Sequence, residues 1–172
     1  MPQIIQYFVE GECEKALINE LKQSPGNTLL AGKVEVFNFI NKILSDQRIL
    51  ALRKNTIIVL VYDIDVEKTD ILEANISKLR NFGFNNVKHI QSIKNFEEEL
   101  VYSSSLKNIN AMYNTEGLEE FKNKFLHQSN LYSKLRTIDF DINKMWSRVN
   151  YKSPFNTYSK KEDLVFVKAK KK

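Results

Sequence analysis

Apolar residues fall along this chain in two patterns. Near-continuous runs occur at Ile4–Val9, interrupted only by Gln6, and at Thr56–Tyr62, rich in isoleucine, valine and aromatic side chains. A strand buried on both faces reads this way, which places both runs in the middle of a parallel sheet. Between and after them the spacing turns helical. Glu12–Gln23 sets Ala16, Leu17 and Leu21 near one face, with acids in the first turn where the helix dipole favours them. Ser24–Asn27 breaks that helix. Lys33–Phe39 reads as a second strand leading into a short helix at Ile40–Gln47. Val66–Gly83 is an amphipathic helix with Ile71, Leu72, Ile76 and Leu79 inward and Gly83 as its stop. A fourth strand is expected at Asn86–Ile93 and a further helix at Asn95–Ser105. This alternation predicts an α/β fold: an open, mainly parallel four-stranded sheet with helices on both faces. Right-handed crossovers then gather the carboxyl ends of the strands along one rim, where such sheets bind ligands.

After Leu106 the pattern changes. Met112–Leu135 and Asp139–Val149 have helical spacing with polar outer faces, Ser153–Asp163 reads as loop, and Leu164–Ala169 as a late edge strand. The expected organisation is an α/β core over residues 1–106. A helical extension with a basic tail, 107–172, packs on that core.

With 172 residues the chain is one domain's length and can bury about two-thirds of its unfolded surface without cross-links. Its single cysteine, Cys13, excludes an internal disulfide framework and fits a reducing compartment. No signal-peptide layout and no membrane-length apolar run is present, so a soluble, cytoplasmic protein is expected. The net charge of +5 is concentrated late, at Lys160, Lys161 and the closing Lys168–Lys172, including Lys170 and Lys171. Such a cluster suits a phosphate backbone, though a solvated end has the same composition.

The chemistry lies where the two apolar runs stop. The first ends in Glu10-Gly11-Glu12 and the second in Asp63-Ile64-Asp65. Residues two apart in extended chain share a face, about 6–7 Å from each other. Two carboxylates so placed repel unless a proton or cation stands between them, and the motif contains no lysine or arginine. Mg²⁺ takes oxygen ligands and is commonly held by one or two carboxylates plus water, with Mn²⁺ as a substitute. Glu10, arriving at the same rim from a neighbouring strand, is a third donor, and Gly11 allows close approach beside it. Helix capping by aspartate accounts for one of the two aspartates at most and leaves Glu10 unexplained.

A first strand ending in Glu10-Gly11, followed by a later one ending in Asp63-Ile64-Asp65, resembles the Toprim domain over roughly residues 4–105. The family includes topoisomerases, bacterial primases, OLD-type nucleases and ribosomal-RNA maturases. The resemblance implies a Toprim-like sheet and Mg²⁺ held by Asp63 and Asp65. It assigns Glu10 to proton transfer or a shared metal, and catalysis to Glu10, Asp63 and Asp65 together. Nuclease members often add a second metal and further acids. Glu97, in the first turn after the fourth strand, matches an acid of phage-defence relatives and is a candidate ligand. Glu12 and Glu14 are nearer to Glu10 in sequence, and Glu98 and Glu99 adjoin Glu97. The length leaves no room for a topoisomerase's strand-passing apparatus or a primase's extra domains. A free-standing nuclease, or a nuclease subunit of a larger complex, fits better. The expected activity is hydrolysis of phosphodiesters in RNA or DNA, by analogy in phage defence or RNA processing.

Other chemistries fit less well. The stretch around Asp63 also resembles the haloacid-dehalogenase phosphatase signature, but Glu67-Lys68 replaces its small residues and its nucleophile belongs on the first strand. There is no Gly-x-Ser-x-Gly elbow and no nucleotide-binding glycine loop. Two histidines and one cysteine give no zinc spacing. The alternative to an enzyme is a Toprim module that binds nucleic acid or a protein partner without cutting. Tyr132, Trp146, Tyr151, Phe155 and Tyr158, interleaved with basic residues, would then be stacking platforms, although aromatics at such spacing also build cores.

Overall fold

A computed structural model of the chain describes residues 4–23 and 28–168. Its centre is a four-stranded sheet in the order β2-β1-β3-β4, with β1 Ile4–Val9, β2 Lys33–Val36, β3 Thr56–Asp63 and β4 Val87–Ser92. Every neighbouring pair is parallel. The α/β class and the parallel four-stranded sheet expected from the alternation are what the chain adopts.

The two apolar runs occupy the two inner strands, and successive side chains serve opposite layers. Ile5, Tyr7, Val9, Ile57, Val59 and Val61 face one layer. There they meet α1 (Glu12–Gln23) through Leu17, Ile18 and Leu21, and α4 (Phe96–Tyr102) through Phe96 and Leu100. Phe8, Ile58, Leu60 and Tyr62 face the other, against Leu72, Ile76 and Leu79 of α3 (Asp70–Asn81) and Ile49 of α2 (Asp46–Leu50). Helices thus cover both faces.

The extension joins the first layer: α5 (Leu118–Leu126) adds Phe121 and Phe125, and α6 (Leu131–Thr137) adds Leu131 and Leu135. No helix among the described residues is long and apolar enough to cross a membrane.

Several expectations fail locally: Ser153–Asp163, expected as loop, holds a 3₁₀ turn at Pro154–Tyr158 and the start of a helix at Lys161. The helix expected at Ile40–Gln47 is a turn, and α2 begins only after the Ser45 cap. Asn38 takes the amides of Ile40 and Asn41, while fully buried Asn75 binds Leu44 N and donates to the carbonyls of Phe39 and Lys42. These side chains replace the helical ladder. Met112–Leu135, expected to be helical, holds α5 and most of α6, with Asn130 capping the second. Asp139–Val149 is not helical: Asp139 and Trp146 have φ of 52° and 59°, and Trp146 N donates to Glu99 rather than within a helix. Leu164–Ala169 is not an edge strand. Leu164–Val167 belong to α7 (Lys161–Val167), Lys168 forms an isolated bridge with Leu29, and Ala169 lies outside the described residues. Asp163, in the first turn of α7, accepts from His89 N at 2.9 Å and pairs with Lys88. A helix thereby screens the β4 edge that a strand would otherwise have extended.

A carboxylate cluster at the carboxyl rim

β1 and β3 are adjacent and in register, Val9 beside Val61, so their carboxyl ends emerge side by side. Glu10 leaves β1 there and accepts the Asp63 backbone N–H at Oε2, 3.1 Å, and the Asn38 amide at Oε1, 2.7 Å. Its carboxylate therefore spans the tops of β1 and β3 and fixes the turn beyond β2. Burial raises the Glu10 pKa above its ordinary value, and the charge of Asp65 adds to this; its two hydrogen-bond donors pull the other way.

Asp63 closes β3 and is half-buried, opposite Ser92 of β4. Burial, then the charges of Glu14 and Glu10, push its carboxyl up to about 8. The Ser92 hydroxyl beside it pulls the other way. Asp63 Oδ1 and Ser92 Oγ are both buried and have no partner among the described residues. Asp65, beyond the strand end, is exposed and its charge reaches both Glu10 and Asp63.

Glu14 sits between this group and a second one. It lies in the first turn of α1, buried, and burial with the charges of Glu10 and Glu97 pushes it up to about 7. Gly11 makes room for it: a Cβ at that position would stand 2.9 Å from Glu14 Oε2. On the far side is buried Glu97 in the first turn of α4, paired at 3.1 Å with Lys122 of α5. Desolvation lowers the Lys122 ammonium pKa, but the Glu97 hydrogen bond and nearby carboxylates outweigh it and leave the group above its ordinary value.

The rim thus brings Glu10, Asp63, Asp65 and, through Glu14, Glu97 into one electrostatic neighbourhood. Glu12 turns to solvent and pairs with Lys15 at 3.0 Å. Glu98 is exposed, and Glu99 is buried and taken up by the amides of Ile93 and Trp146 and by Arg148. Lys122 had no signal in the sequence, because nothing local connects an exposed helical lysine with an acid on another helix and others at distant strand ends. Glu14 had one: it lies four residues after Glu10, at the start of a helix. Cys13, pushed up to about 12 by burial and by the charge of Glu14, is no nucleophile at neutral pH.

Among the described residues no three His, Cys, Asp or Glu side chains form a ready-made metal-ligand set. The donor chemistry nevertheless suits a hard divalent cation. The oxygen donors gathered here are carboxylates; burial and neighbouring carboxylate charge raise the pKa of Glu10, Glu14 and Asp63, and one buried oxygen of Asp63 lacks a partner among the described residues. An ion bound by Asp63 and Asp65, with Glu10, Glu14 and Glu97 near by, would relieve both the charge crowding and the unpaired oxygen.

Two of the four expected phosphate-binding lysines lie elsewhere. Lys160 and Lys161 are exposed at the start of α7, beside the β4 edge, and Lys170 and Lys171 lie outside the described residues. Of the aromatic residues considered for stacking, Trp146 and Phe155 are buried, Tyr132 and Tyr158 half-buried, and Tyr151 fully presented to solvent. No protein-family model, curated protein or solved structure matches this chain.

Proposed function

We propose that this chain is a Toprim-type nuclease that hydrolyses phosphodiester bonds of nucleic acid with Mg²⁺ in the cytoplasm, alone or as a subunit of a larger assembly, in phage defence or RNA processing. The observation that carries the reading is the unpartnered, buried Asp63 Oδ1 within a convergent set of carboxylates whose nearby cation, Lys122, is committed to Glu97. A purely structural acidic cluster gains nothing from leaving that oxygen unpaired.

Asp63 and Asp65 would hold the cation, with Glu14 and Glu97 as further ligands. Bound there, Mg²⁺ would act as a Lewis acid toward the phosphate and offset the charge of these acids. Glu10 is positioned by Asn38 and the Asp63 amide, both of which favour its ionised form, and serves as the proton acceptor for the attacking water. Water oxygen bonds to phosphorus, the P–O ester bond breaks, and the water proton passes to Glu10 while the departing oxygen is protonated from solvent. With Glu97 turned to the cation, the Lys122 ammonium would pair with a phosphate oxygen instead.

The test is cleavage of labelled RNA and DNA with Mg²⁺, Mn²⁺ or chelator, comparing the parent with Asp63→Asn, Asp65→Asn and Lys122→Met. Metal-dependent cleavage lost in the aspartate variants and weakened in Lys122→Met is expected. Unchanged cleavage in the aspartate variants would remove this site from the chemistry. Binding without turnover under any metal would replace the enzyme by a recognition module.

A further inference from the structure

A cavity of about 610 Å³ opens along the outer edge of β4, floored by His89–Gln91 and walled by the segment around Trp146 and by α7. Its lining includes Arg148, Lys160, Lys161 and Lys168, and no aspartate or glutamate. Arg148 is committed to Glu99, and Lys168 donates to the carbonyls of Asn143 and Met145. Lys160 and Lys161 stand exposed. Tyr151 on the same wall is 81% exposed, with Val149 and Val165 also open to solvent. Trp146, only 5% exposed, has an indole N–H with no partner among the described residues.

A soluble protein does not gain by leaving a tyrosine ring and two valines in water beside uncompensated lysines. The combination suits a ligand that is anionic and also carries flat apolar faces. The chain's own end does not fit: Lys170–Lys172 bear the same sign as the cavity. Duplex nucleic acid fits poorly because its base faces are stacked away from an exposed ring. The volume lies within the roughly 300–1000 Å³ of small-ligand sites, enough for a nucleotide unit but not for a double helix.

Position connects the cavity to the carboxylate rim. The floor ends at Gln91, and the next residue of the strand, Ser92, is the register partner of Asp63. At about 3.3 Å per residue, the floor runs to within roughly 10 Å of the acidic cluster. We infer that the β4-edge cavity is a binding groove for single-stranded nucleic acid, which stacks a base on Tyr151, sets its phosphates on Lys160 and Lys161, and leads the strand to the carboxylate rim. The role as a substrate groove rests on the nuclease reading, whereas the binding itself does not.

The test uses the full chain in EDTA, so that no cleavage intrudes. Fluorescent oligo-dT and oligo-U of roughly 12 nucleotides, a duplex of equal length and an oligo-glutamate peptide are titrated by anisotropy. Both single strands should bind more tightly than the duplex or the peptide, and the ratio of the two identifies DNA or RNA as the source. Tyr151→Ala, at a site too exposed to disturb folding, should weaken single-strand binding about 5- to 100-fold. Lys160→Ala with Lys161→Ala should flatten the slope of log K against log salt by about 1.4, from roughly 0.7 per phosphate contact. Equal binding by parent and variants, or preference for duplex or peptide, would overturn the groove. The two readings fail separately. Variants that lose binding in a protein that never cleaves would leave the groove standing without the nuclease. Metal-dependent cleavage with unchanged KM in Tyr151→Ala and the lysine variant would leave the nuclease standing without the groove.

Discussion

Replacing Asp63 by asparagine should make the metal-free protein more stable, and by an amount that depends on pH. In the folded chain the Asp63 carboxyl is pushed from 3.8 to about 8, first by burial and then by Glu14 and Glu10. Between these values the folded state holds a proton that the unfolded state has released, so stability falls as pH rises. The contribution is fully present below pH 3.8 and is lost as pH climbs toward 8. At pH 7 the unfolded carboxyl is roughly three units above its own pKa, and each unit is worth about 1.4 kcal/mol. The parent has then lost about 4 kcal/mol relative to acid, less whatever share Glu14 takes by holding the proton instead. The amide resembles the protonated acid in shape and cannot ionise, so Asp63→Asn escapes the loss.

For a chain of this length about 4 kcal/mol corresponds to roughly 10 °C in Tm. Thermal melts in EDTA at pH 4 and pH 7 should therefore coincide for parent and variant at the acid end and separate at neutrality, the variant higher. Adding Mg²⁺ at pH 7 should raise the parent's Tm by mass action and leave the variant's nearly unmoved. A variant no more stable than the parent at pH 7, or an equal Mg²⁺ response in both, would refute the account of crowded carboxylates that bind a cation.

Two further outcomes probe the frame around the site. Glu99, 0% exposed, accepts from Ile93 N, Trp146 N and both Nε and Nη2 of Arg148. Glu99→Ala strands those donors and should cost about 3–5 kcal/mol in urea denaturation, with Glu99→Gln costing less; a loss under about 1 kcal/mol would show the network to be dispensable. Asp163→Ala removes the carboxylate that accepts His89 N and pairs with Lys88. Hydrogen exchange should then show faster exchange of the His89 amide and of α7, with about 1.5–3 kcal/mol lost; unchanged protection would mean that α7 is held by its apolar face alone.

Much of the sheet was legible because its inner strands are sandwiched between helices. A strand buried on both faces is apolar at nearly every position, so Ile4–Val9, despite Gln6, and Thr56–Tyr62 identify themselves without reference to the rest of the chain. Their acidic ends were equally legible, since parallel topology alone carries Glu10 and Asp63 to one rim. Local signals ran out where distant side chains decide the backbone. Asn75 on α3 holds the segment after β2 in a turn, and Glu99 on α4 holds the segment around Trp146 out of a helix. Asp163 fastens a valine-rich stretch to the sheet edge as helix rather than strand.

The same limit applies at the site. The chain's own order fixed which acids lie at the strand ends, because the repeating strand–helix unit leaves no other place for them. Packing of α1, α4 and α5 against one face decided that Glu14 lies between Asp63 and Glu97 and that Lys122 reaches them. Those neighbours come from segments far apart in sequence, and the energy that brings them together is the burial of Leu17, Phe96, Phe121 and Phe125 in a common core rather than any attraction among the charges themselves.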